Sequence, residues 1–296
     1  MIRLPVFDCV VDARASVGEG AIWSSKQQRL LWLDIPAGQI NRYDPASHQN
    51  EAWTVGRPIG CLAETEDNGI IGALTDGFHK LYLGTNVEQF IAGPKPTLWG
   101  HRFNDGSVDM VGRFYAGTMP LSGASERDAS GTLYRLDSTG SHQVMSGFHV
   151  INGLAFGPDG KIAYVSDSFA KVRLIWAYDY DQDAALWSNR RVFFNTRSVA
   201  GRPDGGTVDA DGCYWMAGVG GWQIYRIQPN GKVDLTLDVP VEKPTRIAFG
   251  GADLKTLFFT SIRVEDEPAQ PQSGGVFATH ISGVQGVAHP RVSQLP

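Results

Sequence analysis

Six similar units repeat along this chain of 296 residues, and their starts are 41 to 52 residues apart. Each unit has a lead residue, a short apolar run, a turn, and then a run that contains an aromatic residue. The lead residues are Glu19, Gly60, Asn104, Asn152, Asp204 and Thr245. A unit of this length cannot bury its own hydrophobic face. Each unit must therefore pack against its neighbours, and this requirement limits the possible folds more than any other feature.

The fourth unit shows the local structure most clearly. Residues 154–156 form a predicted strand, Pro158-Asp159-Gly160 a tight turn, and residues 162–166 the returning strand. Proline presets the turn backbone, and glycine accepts a positive φ. A third strand follows in every unit, predicted at 40–44, 81–83, 133–137, 174–178, 224–227 and 276–279. Outer strands are predicted at 51–54 and 191–194.

Three to four short strands in each of six units, with almost no helical periodicity, predict an all-β fold, a six-bladed β-propeller. We expect a single domain over residues 1–296. The ends of such a ring must be joined. The strand-like segment 6–10 is expected to complete the last blade beside residues 276–278, because this pairing removes an exposed sheet edge.

Composition excludes several classes of partner. The net charge is −5, and there is no basic stripe of the kind that nucleic acid requires. No apolar run approaches the roughly 18 residues that span a membrane, and the N-terminus lacks the apolar stretch of a secretory signal. The three cysteines have no metal-type spacing. They predict reduced thiols in a cytoplasmic protein, with Cys61 and Cys213 buried in strands. A closed propeller can act as a monomer or a small homo-oligomer.

The lead residues should meet at one place, because the first strand of each blade lines the central channel. Glu19, Asn104, Asn152 and Asp204 would then converge. Asn-Gly and Pro-Asp-Gly also form ordinary turns, but Glu19 is not a turn former. Two carboxylates and an amide in one channel remain unsatisfied without a cation. Their oxygens suit Ca²⁺, Mg²⁺ or Mn²⁺ and tolerate Zn²⁺ or Fe²⁺.

Histidine ligation is the alternative to this oxygen-based site. His101 and His149 lie near the starts of the third and fourth units. No His-x-His spacing supports a metal site of that kind, and a lone histidine beside a strand is more often structural.

The motifs together resemble the SMP-30/gluconolactonase/regucalcin family over residues 12–290. The matching segments are Gly18-Glu19-Gly20-x-x-Trp23, Arg102-Phe103-Asn104-Asp105-Gly106, Ala116-Gly117-Thr118-Met119, Asn152-Gly153-Leu154, Pro203-Asp204-Gly205 and Phe249-Gly250-Gly251-x-Asp253-Leu254. Each segment is weak by itself, but the ordered set is specific.

The resemblance implies a six-bladed propeller that hydrolyses sugar lactones with one divalent cation. By resemblance, Glu19, Asn152 and Asp204 match the metal ligands, while Arg102 and Asn104 match residues that contact the substrate.

One departure from the family affects the expected pocket. Some animal members carry acidic residues after the Gly-Thr-Met segment, where this chain has Pro120-Leu121-Ser122-Gly123. The nearest acid here is Glu126. Trp222 is either a residue of the pocket mouth or a buried blade aromatic.

These observations predict a metal-dependent aldonolactonase, a hydrolase of cyclic carboxylic esters. Asp204 would act as the general base and also bind the metal. No Gly-x-Ser-x-Gly motif indicates a serine nucleophile. The alternatives are a non-catalytic calcium-binding propeller and a histidine-based lactonase or arylesterase.

Overall fold

The computed structural model describes residues 6–296 except 86, 96, 97, 99 and 122–128. The described part is nearly all β-structure, with 24 strands and one short 3-10 helix, Thr196–Ser198. The strands form six four-stranded antiparallel sheets. The fold is a six-bladed β-propeller, so the prediction from the repeat is confirmed.

The sheets follow one another along the chain, and each is numbered as a blade in chain order. From the innermost strand outward, the first blade is β2 (Gly18–Ser24), β3 (Arg29–Asp34), β4 (Gln39–Asp44) and β5 (Gln49–Thr54), and the second is β6 (Ile59–Glu64), β7 (Ile70–Leu74), β8 (Gly77–Leu81) and β9 (Glu88–Ala92). The third blade is β10 (His101–Val108), β11 (Phe114–Pro120), β12 (Gly131–Asp137) and β13 (Gly140–Phe148), and the fourth is β14 (Ile151–Phe156), β15 (Ile162–Asp167), β16 (Leu174–Asp181) and β17 (Leu186–Asn195). The fifth blade is β18 (Arg202–Val208), β19 (Tyr214–Val219), β20 (Gln223–Ile227) and β21 (Val233–Asp238). The sixth blade is β22 (Pro244–Gly250), β23 (Thr256–Ser261), β24 (Val276–His280) and β1 (Asp8–Val11).

The ring closes at the sixth blade, which combines strands from both ends of the chain. Asp8 pairs with Ala278 and Cys9 with Phe277 across the β1–β24 ladder. The innermost strands of adjacent blades contact one another around the ring, including β2 with β22. Lead residues that are distant in sequence are brought to one axis by this closure.

The hydrophobic core lies between neighbouring blades. One cluster joins Ala73 and Phe78 of the second blade to Phe103 and Phe114 of the third. The rings of Phe78 and Phe103 have centroids 5.0 Å apart. Such inter-blade packing is what the repeat length required. Among the described residues, no helix is long and apolar enough to cross a membrane.

Two local predictions are wrong. The third strand of the second blade is β8, Gly77–Leu81, and not residues 81–83. The aromatic residue inside this strand is Phe78, which is buried, whereas Tyr82 lies beyond the strand and donates a hydrogen bond to Asp67 at 2.8 Å. Cys213 is buried as expected, but it precedes β19 and does not lie in a strand.

The C-terminal tail, residues 281–296, lies across one end of the propeller. The Gly286 amide donates to the Leu254 carbonyl at 2.8 Å, and the Val292 amide donates to the Glu64 carbonyl at 2.8 Å. With residues of four inner strands, β10, β14, β18 and β22, the tail lines a cavity of about 40 Å³. This end of the channel is therefore covered.

Candidate active site

Backbone irregularities on the inner strands place the predicted residues at the other end of the channel. The pairing register shifts directly after Glu19 and Asn152 and in the segments that contain Asn104 and Asp204. Bulges of this kind redirect side chains out of the regular alternation. Gly153, at a φ of 60°, permits the bend after Asn152, where a Cβ would stand 2.3 Å from the Tyr214 hydroxyl oxygen.

A chain of hydrogen bonds connects the substrate-binding and metal-binding candidates. Arg102 Nη1 donates to Asn104 Oδ1 at 2.9 Å, and Asn104 Nδ2 donates to Asn152 Oδ1 at 3.0 Å. Asn152 Nδ2 donates to Ser168 Oγ at 2.7 Å. The Ser168 hydroxyl in turn donates to the Pro203 carbonyl, directly before Asp204. This network orients both amides, and Asn152 Oδ1 keeps a lone pair for a further partner.

The two carboxylates of the site are buried and incompletely paired. Glu19 is 5% exposed and Asp204 is 6% exposed. Glu19 Oε2 accepts a hydrogen bond from the Gly20 amide at 2.9 Å. Within the described part of the chain, the Asp204 carboxylate makes no hydrogen bond or ion pair. Burial costs more for a charge that lacks a partner.

The pKa values of both acids reflect this environment. Burial, and then repulsion from Asp105, raise the pKa of Glu19 to about 7. Burial, and then repulsion from Glu19 and Asp105, hold the pKa of Asp204 well above its ordinary value. Desolvation and like charge both disfavour the ionised forms. A cation between the carboxylates would relieve both effects.

The donor set fits a hard divalent cation. Glu19 and Asp204 would supply carboxylate oxygens, and Asn152 an amide oxygen, which are ligands that Ca²⁺ and Mg²⁺ prefer. No group of three or more His, Cys, Asp or Glu side chains suited to a metal occurs in the part of the chain that the structure describes. A site here would therefore need the Asn152 amide as its third protein ligand.

These residues line a cavity of about 440 Å³, a size suited to a small ligand. Its polar side chains include all five predicted site residues, which the structure thus brings together. Nine further residues line it, namely Val17, Met119, Val150, Ser168, Phe169, Ala170, Arg202, Val219 and Ile262. The lining thus combines apolar side chains with polar and charged ones.

The histidines stand outside this cavity lining. His149 Nδ1 lies 3.1 Å from Asp167 Oδ2, and its ring stacks on Phe169 with centroids 4.4 Å apart. His149 therefore supports Phe169, which lines the cavity. His101 Nε2 lies 2.8 Å from Ser130 Oγ. This arrangement favours the oxygen ligands over the histidine alternative.

Trp222 is not a buried blade aromatic, because it is 38% exposed. It lies in the turn after β19 with a φ of 58°, and it is not among the residues that line the cavity.

The segment that departs from the family is partly described. Met119 lines the cavity, Pro120 ends β11, and Leu121 is exposed. Glu126 lies outside the described residues.

A third carboxylate, that of Asp105, lies next to the site, and the sequence did not predict a role for it. Arg246 Nη1 donates to Asp105 Oδ1 at 2.7 Å, and both residues are buried. The Leu154 amide donates to Asp105 Oδ2 at 3.0 Å, and the Gly106 amide to Oδ1 at 2.8 Å. Asp105 is thus fully paired, unlike its neighbours Glu19 and Asp204. Arg202 was also missed, because an arginine before Pro-Asp-Gly looks like part of an ordinary turn.

Comparison with known proteins agrees with the motifs. The family model described as SMP-30/Gluconolactonase/LRE-like region matches residues 17–263. The chain belongs to this family of sugar lactonases and related propellers.

Its relatives include 6-deoxy-6-sulfogluconolactonase from Pseudomonas putida, 39% identical over 95% of this chain and 97% of that protein. Regucalcin from Xenopus laevis is 34% identical over 95% of this chain and 96% of that protein. Among solved structures, a luciferin-regenerating enzyme has a TM-score of 0.89 at 27% identity and covers 97% of this chain and 99% of its own. A regucalcin from Agrobacterium tumefaciens, described as a calcium-binding protein, has a TM-score of 0.89 at 25% identity and covers 98% of this chain and 97% of its own.

Proposed function

We propose that this protein hydrolyses a sugar lactone to the aldonic acid, with one divalent cation held by Glu19, Asn152 and Asp204. The observation that carries the proposal is the pair of buried, incompletely paired carboxylates at the end of a sugar-sized cavity. Membership of the lactonase family supports the reaction class. The relative from Pseudomonas putida adds sulfonated gluconolactone to the candidate substrates.

The reaction adds water to the carbonyl carbon of the cyclic ester. A tetrahedral oxyanion forms, the bond from that carbon to the ring oxygen breaks, and the ring oxygen leaves as a hydroxyl. Asp204 would take a proton from the attacking water and return it to the departing ring oxygen. When bound, the cation would supply charge neutralisation and Lewis acidity.

Arg102 and Asn104 would position the substrate. Arg102 Nη1 is occupied by the Asn104 amide oxygen and the Phe103 carbonyl, both at 2.9 Å. The other guanidinium N–H groups can bind a sugar hydroxyl or the developing oxyanion, since this planar group is always charged. The bond from Arg102 also holds Asn104 in the orientation that reaches Asn152.

The setting of the reaction is also part of the proposal. Three free cysteines favour a reducing compartment such as the cytoplasm. Carbohydrate catabolism is the expected process, and the single propeller would work as a monomer or a small homo-oligomer.

Hydrolysis of a panel of γ- and δ-aldonolactones by the metal-loaded protein tests the reaction class. Turnover of at least one lactone, absent after chelation, is the expected result. Tight metal binding with no turnover on the whole panel would instead favour a non-catalytic calcium-binding propeller.

A further inference from the structure

The mouth of the cavity carries an arginine that the proposed chemistry does not use. Arg202 lines the cavity two residues before Asp204 and is exposed. Its guanidinium makes no hydrogen bond or ion pair with any residue that the structure describes. The Arg202 charge lowers the pKa of Asp204, against the larger effects of burial and of Glu19 and Asp105. Since no protein atom accepts a hydrogen bond from this guanidinium in the described residues, its N–H groups are available to a ligand.

Two further arginines lie near it. Burial, and then repulsion from Arg197 and Arg202, lower the pKa of Arg173. The Arg173 guanidinium donates to the carbonyls of Thr196 at 2.8 Å and Gly201, so it holds the loop that leads into Arg202. In the described ranges, neither Arg173, Arg197 nor Arg202 forms an ion pair. This side of the mouth therefore carries positive charge, and Arg173 supports the loop before Arg202.

The charges of the cavity lining point to a substrate of matching sign. Glu19 and Asp204 contribute two negative charges, and Arg102 and Arg202 two positive charges. The divalent cation of the proposed function, on which this step rests, would leave an excess of two positive charges. The developing oxyanion of lactone hydrolysis accounts for one of them. A neutral sugar lactone offers no negative charge to balance the second positive charge.

We infer that the site selects aldonolactones that carry an oxyanion substituent, and that Arg202 binds this substituent. Sulfonate, phosphate and carboxylate share the chemistry, since each presents two coplanar oxygens to the guanidinium fork. Arg202 is thus a specificity-determining residue at the mouth, while Arg102 lies deeper beside Asn104.

The test compares lactones of one ring type. Values of kcat/KM are measured for D-gluconolactone, its 6-deoxy-6-sulfo derivative, its 6-phosphate and the corresponding 6-carboxylate. The wild-type protein should prefer at least one anionic lactone tenfold or more. Arg202→Gln should lower kcat/KM for that lactone about 10- to 100-fold more than for gluconolactone, chiefly through KM, because a charged hydrogen bond is lost. The ranking of the three anions identifies the substituent.

Two variants serve as controls. Arg202→Lys keeps the charge and should restore part of the preference. Arg191→Gln removes an exposed arginine of β17 that pairs with Asp179 at 2.7 Å, and it should leave both rates unchanged. An equal loss on neutral and anionic lactones in Arg202→Gln, or a wild-type preference for the neutral lactone, would overturn the inference.

A binding measurement separates this inference from the proposed function. Calorimetry with the metal-loaded protein compares gluconate with 6-deoxy-6-sulfogluconate, 6-phosphogluconate and the dicarboxylate. If no lactone is hydrolysed but an anionic acid binds tightly and loses affinity in Arg202→Gln, the proposed reaction fails and the anion site stands. If neutral lactones are hydrolysed and no acid binds through Arg202, the reaction stands and the anion site is refuted.

Discussion

The open end of the channel and the interior just beneath it both contain buried carboxylates. The carboxylates at the open end lack most of their hydrogen-bond partners, whereas the one beneath them is fully paired. At the open end, the Asp204 carboxylate makes no hydrogen bond with the described residues, and Glu19 accepts one from the Gly20 amide. Beneath them, Asp105 accepts hydrogen bonds from Arg246 and from the amides of Gly106 and Leu154. The charge of a fully paired carboxylate is compensated within the protein, whereas a buried carboxylate without partners creates demand for a ligand.

The difference arises within single strands. Asn104 and Asp105 are consecutive residues of β10, yet Asn104 reaches the cavity and Asp105 reaches Arg246 of the sixth blade. The bulge in β10 separates their directions. Two consecutive residues of one strand thus lie in different surroundings, one in the cavity lining and one in a buried ion pair.

The largest effect is expected from the unpaired acid. Asp204→Asn should lower kcat for lactone hydrolysis about 1000-fold, because the variant lacks the proposed base and a metal ligand. Steady-state kinetics on the metal-loaded variant checks this. His149→Ala, the matched comparison, should lose less than about tenfold, since His149 contacts the cavity only through Phe169. A greater loss in His149→Ala would favour a histidine-based lactonase.

The paired acid should behave in the opposite way, with its main effect on stability. Asp105→Asn should lower the free energy of unfolding by about 3 to 5 kcal/mol, because it leaves the buried Arg246 charge without its partner. Urea denaturation measures the change. The double variant Asp105→Asn/Arg246→Met should be more stable than the single one. A loss below about 1 kcal/mol in Asp105→Asn would contradict the assignment of this pair to structure.

A smaller effect is expected at the covered end, where His289 of the tail lies near Arg246. Burial, and then repulsion from Arg246, lower the pKa of His289 to about 4, below its ordinary value of 6.5. The unfolded chain then binds a proton that the folded chain does not over this range. Stability should fall as pH falls from 6.5 towards 4, by up to about 3 kcal/mol from this group.

His289→Gln isolates this contribution from those of other groups. The difference in unfolding free energy between the wild type and the variant, measured from pH 7 to pH 4, should change by that amount. If the unfolding free energies of the two proteins change equally with pH, protonation of the tail histidine does not destabilise the fold.

Much of the fold, and the convergence of the candidate site residues, could be predicted from the sequence. The repeat specified six blades, and ring closure then implied that Glu19, Asn104, Asn152 and Asp204 meet, as the cavity lining confirms. The failures were local. Tyr82 was taken for a strand aromatic, although the tight turn before Gly77 starts β8 earlier.

The pairing of charges could not be read from the sequence. Asp105 and Arg246 are 141 residues apart, and only the packing of inner strands across the channel shows that they meet. The role proposed for Arg202 likewise depends on its position in the cavity lining and on its forming no ion pair within the described residues, which are properties of the folded chain.

Our central proposal is that Glu19 and Asp204, with Asn152, hold a divalent cation that lactone hydrolysis requires. The most direct test is lactone hydrolysis by protein that has been exhaustively chelated and then titrated with Ca²⁺, Mg²⁺, Mn²⁺ or Zn²⁺. We predict that the stripped protein is inactive, that about one equivalent of a suitable metal restores turnover, and that Asp204→Asn is not restored. Full activity in the metal-free wild-type protein would contradict the account.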